Sequence, residues 1–272
     1  MFEGYWASIA IFLGINVLMG FSLYIPMTAG LISLGQGGFM AIGAYSSSML
    51  TKAGMPFWIA VATAGMVTAL SGILVGIPAI RIRGVYLIIL TLGFGEIVRV
   101  FFLNFNYTGG AGGLGGMLPY TNLAWVGSAC VAAALVAWRL RYVRLGRAMI
   151  AVHADEVAAE AMGVDLVRVK LTAFSLGAFI AGIAGAFFAH YALFIDSAQF
   201  GFLRSADAFL FVVLGGIGNP LGPVAGAAVA TLVPEVFRFL QDWRMTFFGA
   251  LLVASALWRP DGLISAMRLK YR

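Results

Sequence analysis

The stretch Val85-Tyr86-Leu87-Ile88-Ile89-Leu90-Thr91-Leu92-Gly93-Phe94-Gly95-Glu96-Ile97-Val98-Arg99-Val100-Phe101-Phe102-Leu103-Asn104-Phe105 decides the fold class. A helix of about 20 apolar residues crosses the hydrocarbon core of a bilayer, and this run reaches that length with Glu96 and Arg99 as its only charges. Comparable apolar runs occur at 6–25, 31–51, 57–78, 123–138, 168–190, 206–217, 222–240 and 246–258. Several are shorter than a full span. The pieces 206–217 and 222–240 flank Gly215-Gly216-Ile217-Gly218-Asn219-Pro220, which reads as a hairpin or a helix broken within the membrane, and Gly30 to Gly38 is interrupted in the same way. The pattern predicts an all-α polytopic membrane protein with about eight membrane segments, some of them broken or re-entrant.

Composition agrees. Of 272 residues, 62% are apolar and 10% charged, against roughly 45–50% and about 25% in soluble domains. With a mean hydropathy of +0.98, the apolar surface exceeds what one soluble core can hold, which excludes an ordinary soluble enzyme. The single Cys130 lies in an apolar run and removes any disulfide framework. The first 25 residues contain Glu3 but no Lys or Arg, so they lack the basic start of a cleaved signal peptide and read as mature protein. The net charge of +6 comes from cations dispersed at segment ends, with no aromatic-interleaved basic face, so no nucleic-acid partner is expected.

Those cations orient the chain. With a cytoplasmic C-terminus, Arg81, Arg83, the six cations from Arg139 to Lys170 and the four from Arg259 to Arg272 lie inside. Lys52, Arg204, Arg238 and Arg244 then lie outside, and the positive-inside rule favours this arrangement. It puts 106–122 and 191–205 outside and makes 139–167 the longest cytoplasmic loop.

Catalytic signatures are missing. There is no Gly-x-x-x-x-Gly-Lys-[Ser/Thr] stretch, so the chain carries no P-loop. His153 and His190 fall on opposite faces without Cys or acidic neighbours at ligand spacing, and no metal is expected. The run from Thr108 to Gly116 is an outside loop, either packed or docking a partner. Small residues at Ala29, Ser33, Gly37, Ala41 and at Ala178, Gly182, Ala186 suit close helix approach, within the subunit or across a dimer.

Three segments carry the functional candidates. Charges at the depth of Glu96 cost about 2.5–3.5 kcal/mol on the insertion scale. Glu96 and Arg99 share a helical face at i,i+3, so they either neutralise each other or border a solvated path. Gln36, within Ser33-Leu34-Gly35-Gln36-Gly37-Gly38, must hydrogen-bond inside the membrane, where the glycines permit a broken helix and close approach of a small solute; packing and pathway both fit. Asp155-Glu156-Val157-Ala158-Ala159-Glu160-Ala161-Met162-Gly163 predicts a two-turn helix with acidic residues at its start and a Gly cap, suited to a groove on a cytoplasmic partner or simply solvated.

With these residues in place, the chain resembles the membrane permease subunits of bacterial branched-chain amino-acid-type ABC importers, in the LivM-like branch. The resemblance rests on Ser33 to Gln36 through Tyr45, Pro78 to Tyr86, Thr91 to Arg99, Thr108-Gly109-Gly110, Gly146-Arg147-Ala148, Asp155 to Gly163, Val213 to Gly218 and Arg259-Pro260-Asp261-Gly262-Leu263. Two stretches depart from the family pattern: the segment before residue 6 is short, and Gly37-Gly38 stands where relatives often have Ala-Ala.

The resemblance implies a single transmembrane permease domain over 1–272, non-catalytic itself, in a bacterial inner membrane. It implies a second permease subunit, homologous or identical, two cytoplasmic ATPase subunits that hold ATP and Mg, and a periplasmic solute-binding protein. Ser33, Gln36, Tyr45, Thr91, Glu96 and Arg99 become candidates for the substrate pathway. Asp155, Glu156, Ala158, Ala159, Glu160 and Gly163 become candidates for ATPase coupling. Branched-chain or related amino acids are the implied cargo, and urea, short amides and aromatic acids also belong to the family's range. An ion-coupled secondary transporter using Glu96 is the alternative from outside the family.

Overall fold

The structure, a computed structural model, describes residues 2–82, 84–236 and 249. Arg83, the end of the run at 222–240, the run at 246–258 apart from Gly249, and the motif at 259–263 lie outside the described residues.

The described chain is mostly helical, with loops between the helices, one two-stranded clip and three short 3-10 turns. The helices are α1 (Phe2–Thr28), α2 (Gln36–Lys52), α3 (Phe57–Ala79), α4 (Val85–Asn104), α5 (Leu123–Leu140), α6 (Arg144–Ala154), α7 (Glu156–Ala161), α8 (Leu166–Ala192), α9 (Phe202–Gly215) and α10 (Gly222–Val236). Six described helical segments are long and apolar enough to cross a membrane, while α2, at 17 residues, and α10, at 15, are shorter. In lipid a backbone must satisfy its own hydrogen bonds, and helices do so within one segment.

The polar helix α2 sits at the centre, against α8, α3, α4 and α9. Small residues make this possible. A Cβ on Gly43 would collide with the backbone of Gly182, and one on Gly185 with the carbonyl of Met40, so α2 and α8 touch backbone to backbone. The Ala178-Gly182-Ala186 face is therefore used inside the chain, with Gly182 also against Thr68 and Ala178 against Gly72 of α3. The other small-residue series does not form one face. Gly30 adopts φ +77°, α1 stops at Thr28, and α2 starts only at Gln36, so Ala29 and Ser33 precede the helix that carries Gly37 and Ala41.

Two ends of the bundle are distinct. At one, β1 (Leu114–Gly115) pairs antiparallel with β2 (Phe194–Ile195), and Lys52 Nζ donates to the Gly115 carbonyl at 2.8 Å. At the other, α6 and α7 bridge α5 to α8, and the Arg141 guanidinium donates to the Gly218 carbonyl at 2.8 Å, fixing the loop between α9 and α10.

The 139–167 segment holds two helices. In α6, Met149 and Val152 are buried together with Ala29, Ala159, Val169 and Ala173 in a small core of their own. Asp155 breaks the helix and caps α7, accepting from the Val157 and Ala158 amides at 2.9 and 3.0 Å. Gly163, at φ +84°, closes α7.

Candidate functional site

The two interrupted segments meet in the middle of the bundle. From the α6–α7 end, residues 29–35 climb without helical structure until α2 begins, and Gly38 there lies against Gly95, near the midpoint of α4. From the β-clip end, residues 196–201 descend through a 3-10 turn (Ser197–Phe200) until α9 begins at the same level. The Gly37 amide donates to Ser205 Oγ at 2.9 Å, joining the first turns of α2 and α9. From this junction α2 runs toward the β-clip and α9 toward the α6–α7 end. The start of a helix carries partial positive charge and unsatisfied amides, so two such ends converge at mid-depth.

Glycines make the junction close. A Cβ on Gly37 would lie 2.6 Å from the Phe200 carbonyl oxygen, one on Gly35 would lie 2.9 Å from that of Thr91, and one on Gly38 would lie 2.9 Å from Gly95 Cα. Thr91 turns this proximity into a hydrogen bond, its Oγ1 accepting from the Leu34 amide at 3.0 Å, while Ser33 Oγ accepts from the Gly35 amide at 3.2 Å. Of the pathway candidates, Ser33, Gln36 and Thr91 are thus gathered at the junction, all buried. The Gln36 carboxamide Oε1 is buried without a hydrogen-bond partner among the described residues. Tyr45 lies apart from them, fully buried and stacked on Phe102 with ring centroids 4.0 Å apart.

Glu96 and Arg99 pair as their spacing predicts, Arg99 Nε donating to Glu96 Oε2 at 2.6 Å. The pair borders the junction, since Gly201, the cap of α9, faces the Arg99 side chain and Glu96 Oε1. Both side chains keep about a third of their surface open, 36% for Glu96 and 32% for Arg99. Glu96 lines an open groove with Ile97, Val100, Phe101, Asn104 and Phe105.

Arg204 is a correction to the sequence reading, which places it outside. Its side chain is buried one residue before Ser205, its Nε is 3.3 Å from Met40 Sδ, and it lies over the rings of Phe12 and Phe188 at 5.7 and 5.6 Å. Asp207 is 4.0 Å from Nη1, and Nη2 has no hydrogen-bond partner among the described residues. The reason is that α9 starts at Phe202, four residues before the apolar run, after a descent that hydropathy does not register. A single Arg three residues beyond a Gly, at the edge of an apolar run, is the only sequence signal of it.

At the α6–α7 end the coupling candidates separate by exposure. Ala158, Glu160 and Gly163 are exposed, with Val157 and Met162 beside them, whereas Ala159 turns inward and is 4% exposed. Glu156 reaches back to α8 and accepts from Lys170 Nζ at 2.6 Å. His153 of α6 faces Gly30, and Thr28 reaches Met149 Sδ at 3.9 Å, so α6 contacts the start of the unwound 29–35 segment. Among the described residues no group of His, Cys, Asp and Glu could hold a metal ion.

Comparison with known proteins follows this geometry. Residues 5–256 match the family described as the permease component of the branched-chain amino acid transport system. The high-affinity branched-chain amino acid transport system permease protein LivM of Salmonella typhimurium is 37% identical over 94% of this chain and 67% of its own length. LivM of Escherichia coli K12 is 36% identical over the same shares. LivH of Salmonella typhimurium, a permease protein of the same kind of system, is 30% identical over 46% of this chain and 41% of its own. No solved structure matches significantly.

Proposed function

Because this chain belongs to the branched-chain amino acid transport permease family, in its LivM-like part, we propose that it is the non-catalytic membrane subunit of an ATP-driven importer of branched-chain or related amino acids. It works with a second permease, two cytoplasmic ATPase subunits that bind ATP and Mg, and a periplasmic solute-binding protein. Its C-terminus is cytoplasmic, and urea, short amides or aromatic acids remain within the family's range of cargo.

The observation that carries the coupling part is the α6–α7 pair. A six-residue helix is too short to persist alone, yet this one is capped by Asp155, tied to α8 through Glu156 and Lys170, and presents Val157, Ala158, Glu160 and Met162 outward. That is the geometry of a small helix held ready for a groove on another protein. A push on α7 reaches α6, and α6 bears on Gly30 through His153. From there residues 31–35 lead to the junction of α2 and α9. Alternating access then consists of moving that junction, where Ser33, Gln36 and Thr91 meet, with Glu96 and Arg99 at its border and Tyr45 of α2 stacked on Phe102 of α4.

The test is solute-stimulated ATP hydrolysis by the reconstituted importer. Glu160→Lys and Ala158→Trp, both at exposed positions, lower the stimulation at least fivefold while the purified permease keeps its unfolding temperature. Normal stimulation in both variants removes α7 from the coupling route. Ala159 is unsuitable for this test because it is buried within the chain. Mild-detergent purification from the native membrane, with mass spectrometry of the co-purifying chains, tests the subunit composition: ATPase subunits bearing P-loops support the importer, and transport by this chain alone under an ion gradient refutes it.

A further inference from the structure

A cavity of about 320 Å³ opens at the α6–α7 end, between α1, α5, α6 and the loop that joins α9 to α10. Most of its wall is apolar, from Ile25, Ala137, Leu140, Ile150 and Ile217. The wall is preformed: a Cβ on Gly146 would stand 1.5 Å from the Leu140 carbonyl oxygen, so the start of α6 lies directly on the end of α5. A volume of roughly 300–1,000 Å³ and an apolar wall with a few convergent polar groups describe a small-molecule site.

Its polar groups favour an anion. Arg141, Tyr24, Thr28 and His153 line the cavity, and no Asp or Glu does. The Thr28 hydroxyl is spent on the Ile25 carbonyl at 2.7 Å, and one amino group of Arg141 on the Gly218 carbonyl. The rest of the Arg141 fork, the Tyr24 hydroxyl and the His153 ring remain for a ligand, and each can donate. Beyond His153 a neighbouring cavity holds Asp155 and Glu156, but Asp155 accepts from the amides of α7 and Glu156 from Lys170. The lining therefore suits an anion with an apolar body and has no carboxylate for an ammonium group.

The surroundings identify where such a ligand comes from. Arg139, Arg141, Arg144 and Arg147 fall within nine residues, with no acidic residue from Trp138 to Ala154. Trp138 and Tyr142 are exposed beside them, ring centroids 6.5 Å apart, and such rings mark the level of lipid headgroups. The helix α6 buries Met149 and Val152 while Arg144 and Arg147 are exposed, the make-up of a helix lying in the membrane surface. Leu135 and Val136 of α5 are exposed nearby, an apolar surface on which a chain can continue. Basic pockets between membrane helices take anionic headgroups, whereas a free inorganic anion would leave the apolar wall unused.

We propose that this cavity binds an anionic phospholipid, its phosphate held by Arg141 with Tyr24 and His153, and the first carbons of one chain against Leu140, Ile150 and Ile217. The lipid joins α1, α5 and α6, and through the shared guanidinium it also steadies the loop between α9 and α10.

Native mass spectrometry of the full chain tests this, with the protein purified in mild detergent and offered phosphatidylglycerol, phosphatidylethanolamine, a long-chain fatty acid or inorganic phosphate. The expected result is one phosphatidylglycerol retained in preference to phosphatidylethanolamine by about fivefold, the factor that one basic residue near an anionic surface supplies. Arg141→Gln removes that preference, while Arg139→Gln and Arg144→Gln, equal changes of charge at exposed positions outside the cavity, preserve it. Equal retention of both phospholipids, or equal losses in all three variants, overturns the site. Retention of the fatty acid or of inorganic phosphate in place of phosphatidylglycerol overturns the phospholipid assignment. Since Arg141→Gln also gives up the bond to Gly218, Ile150→Glu is the second variant. Ile150 is 50% exposed, so the unfolding temperature stays unchanged while the added carboxylate expels the lipid; unchanged retention in this variant overturns the proposal. Every reading comes from this chain alone, so failure here is distinct from failure of ATPase subunits to co-purify.

Discussion

Gly72→Ala and Gly127→Ala are the same chemical change in two apolar helices, and the structure assigns them opposite signs. In α3, a Cβ on Gly72 would stand 2.6 Å from the Cβ of Ala178, with Ser175 Cα at 3.4 Å. Carbon atoms are comfortable at about 3.5–4.0 Å, so α3 and α8 must part by about 1 Å. Neither partner has a rotamer with which to escape, and overpacking of this kind costs about 1–3 kcal/mol. Alanine returns at most about 1 kcal/mol in helix propensity, leaving a net loss of about 1 kcal/mol. In α5, a Cβ on Gly127 meets nothing within 4 Å, so only the gain of about 0.5–1 kcal/mol remains. The helix gain is common to both, so the two variants differ by the overpacking cost, about 2 kcal/mol, or about 4–8 °C in unfolding temperature at this chain length. Thermal unfolding in mild detergent, followed by tryptophan fluorescence, measures the difference. Equal temperatures for the two variants, or a more stable Gly72→Ala, would refute the backbone-level contact between α3 and α8.

The Lys170–Glu156 pair predicts an asymmetry. Lys170 is 5% exposed and Glu156 27%, so Glu156→Ala strands a buried ammonium, while Lys170→Met leaves a carboxylate that can reach water. Glu156→Ala is expected to cost near the lower end of the roughly 3–5 kcal/mol for breaking a buried pair, and Lys170→Met about 1 kcal/mol; equal losses of thermal stability would contradict the assigned burial. Arg204→Met replaces an incompletely paired buried cation by an apolar side chain of similar length, so stability should stay within about 1 kcal/mol while solute uptake falls at least tenfold. Intact uptake together with a loss of more than about 3 kcal/mol would make Arg204 a strut between α1, α8 and α9.

Much of the fold was legible because hydrophobic length is a one-dimensional signal. The runs at 57–78, 85–105 and 123–138 correspond closely to α3, α4 and α5, and the Gly-rich breaker at 215–220 falls between α9 and α10. The pairing of Glu96 with Arg99 followed from helical spacing alone. What hydropathy could not provide was depth. Residues 31–35 are apolar enough to extend the α2 run, yet Gly30 at positive φ and the hydrogen bond from Leu34 to Thr91 hold them out of the helix. Residues 196–201 look like an exposed loop, but they descend into the bundle, which is why Arg204 was put on the wrong side of the boundary. The helix α6 is legible in principle, since Leu145, Met149 and Val152 recur at helical spacing. The inward turn of Ala159 depends on packing against α6 and α8, which no single-helix pattern contains.

The central position of α2 also sets the order in which the chain can be made. This helix carries Gln36 and the run Ser46-Ser47-Ser48, and it falls short of the length for a span of its own. Its neighbours α8 and α9 begin only at Leu166 and Phe202, well over a hundred residues after α2 ends. A ribosome has therefore released α2, with α3 and α4 close behind it, long before α8 and α9 exist to complete its burial. At that stage the serines can donate only to carbonyls of their own helix, as Ser46 does to Ile42 and Ser47 and Ser48 do to Ala44, while lipid offers the glutamine no partner. The segment must wait in a sheltered, partly hydrated place beside the insertion machinery until α8 arrives, so assembly of this bundle is completed from its last helices inward.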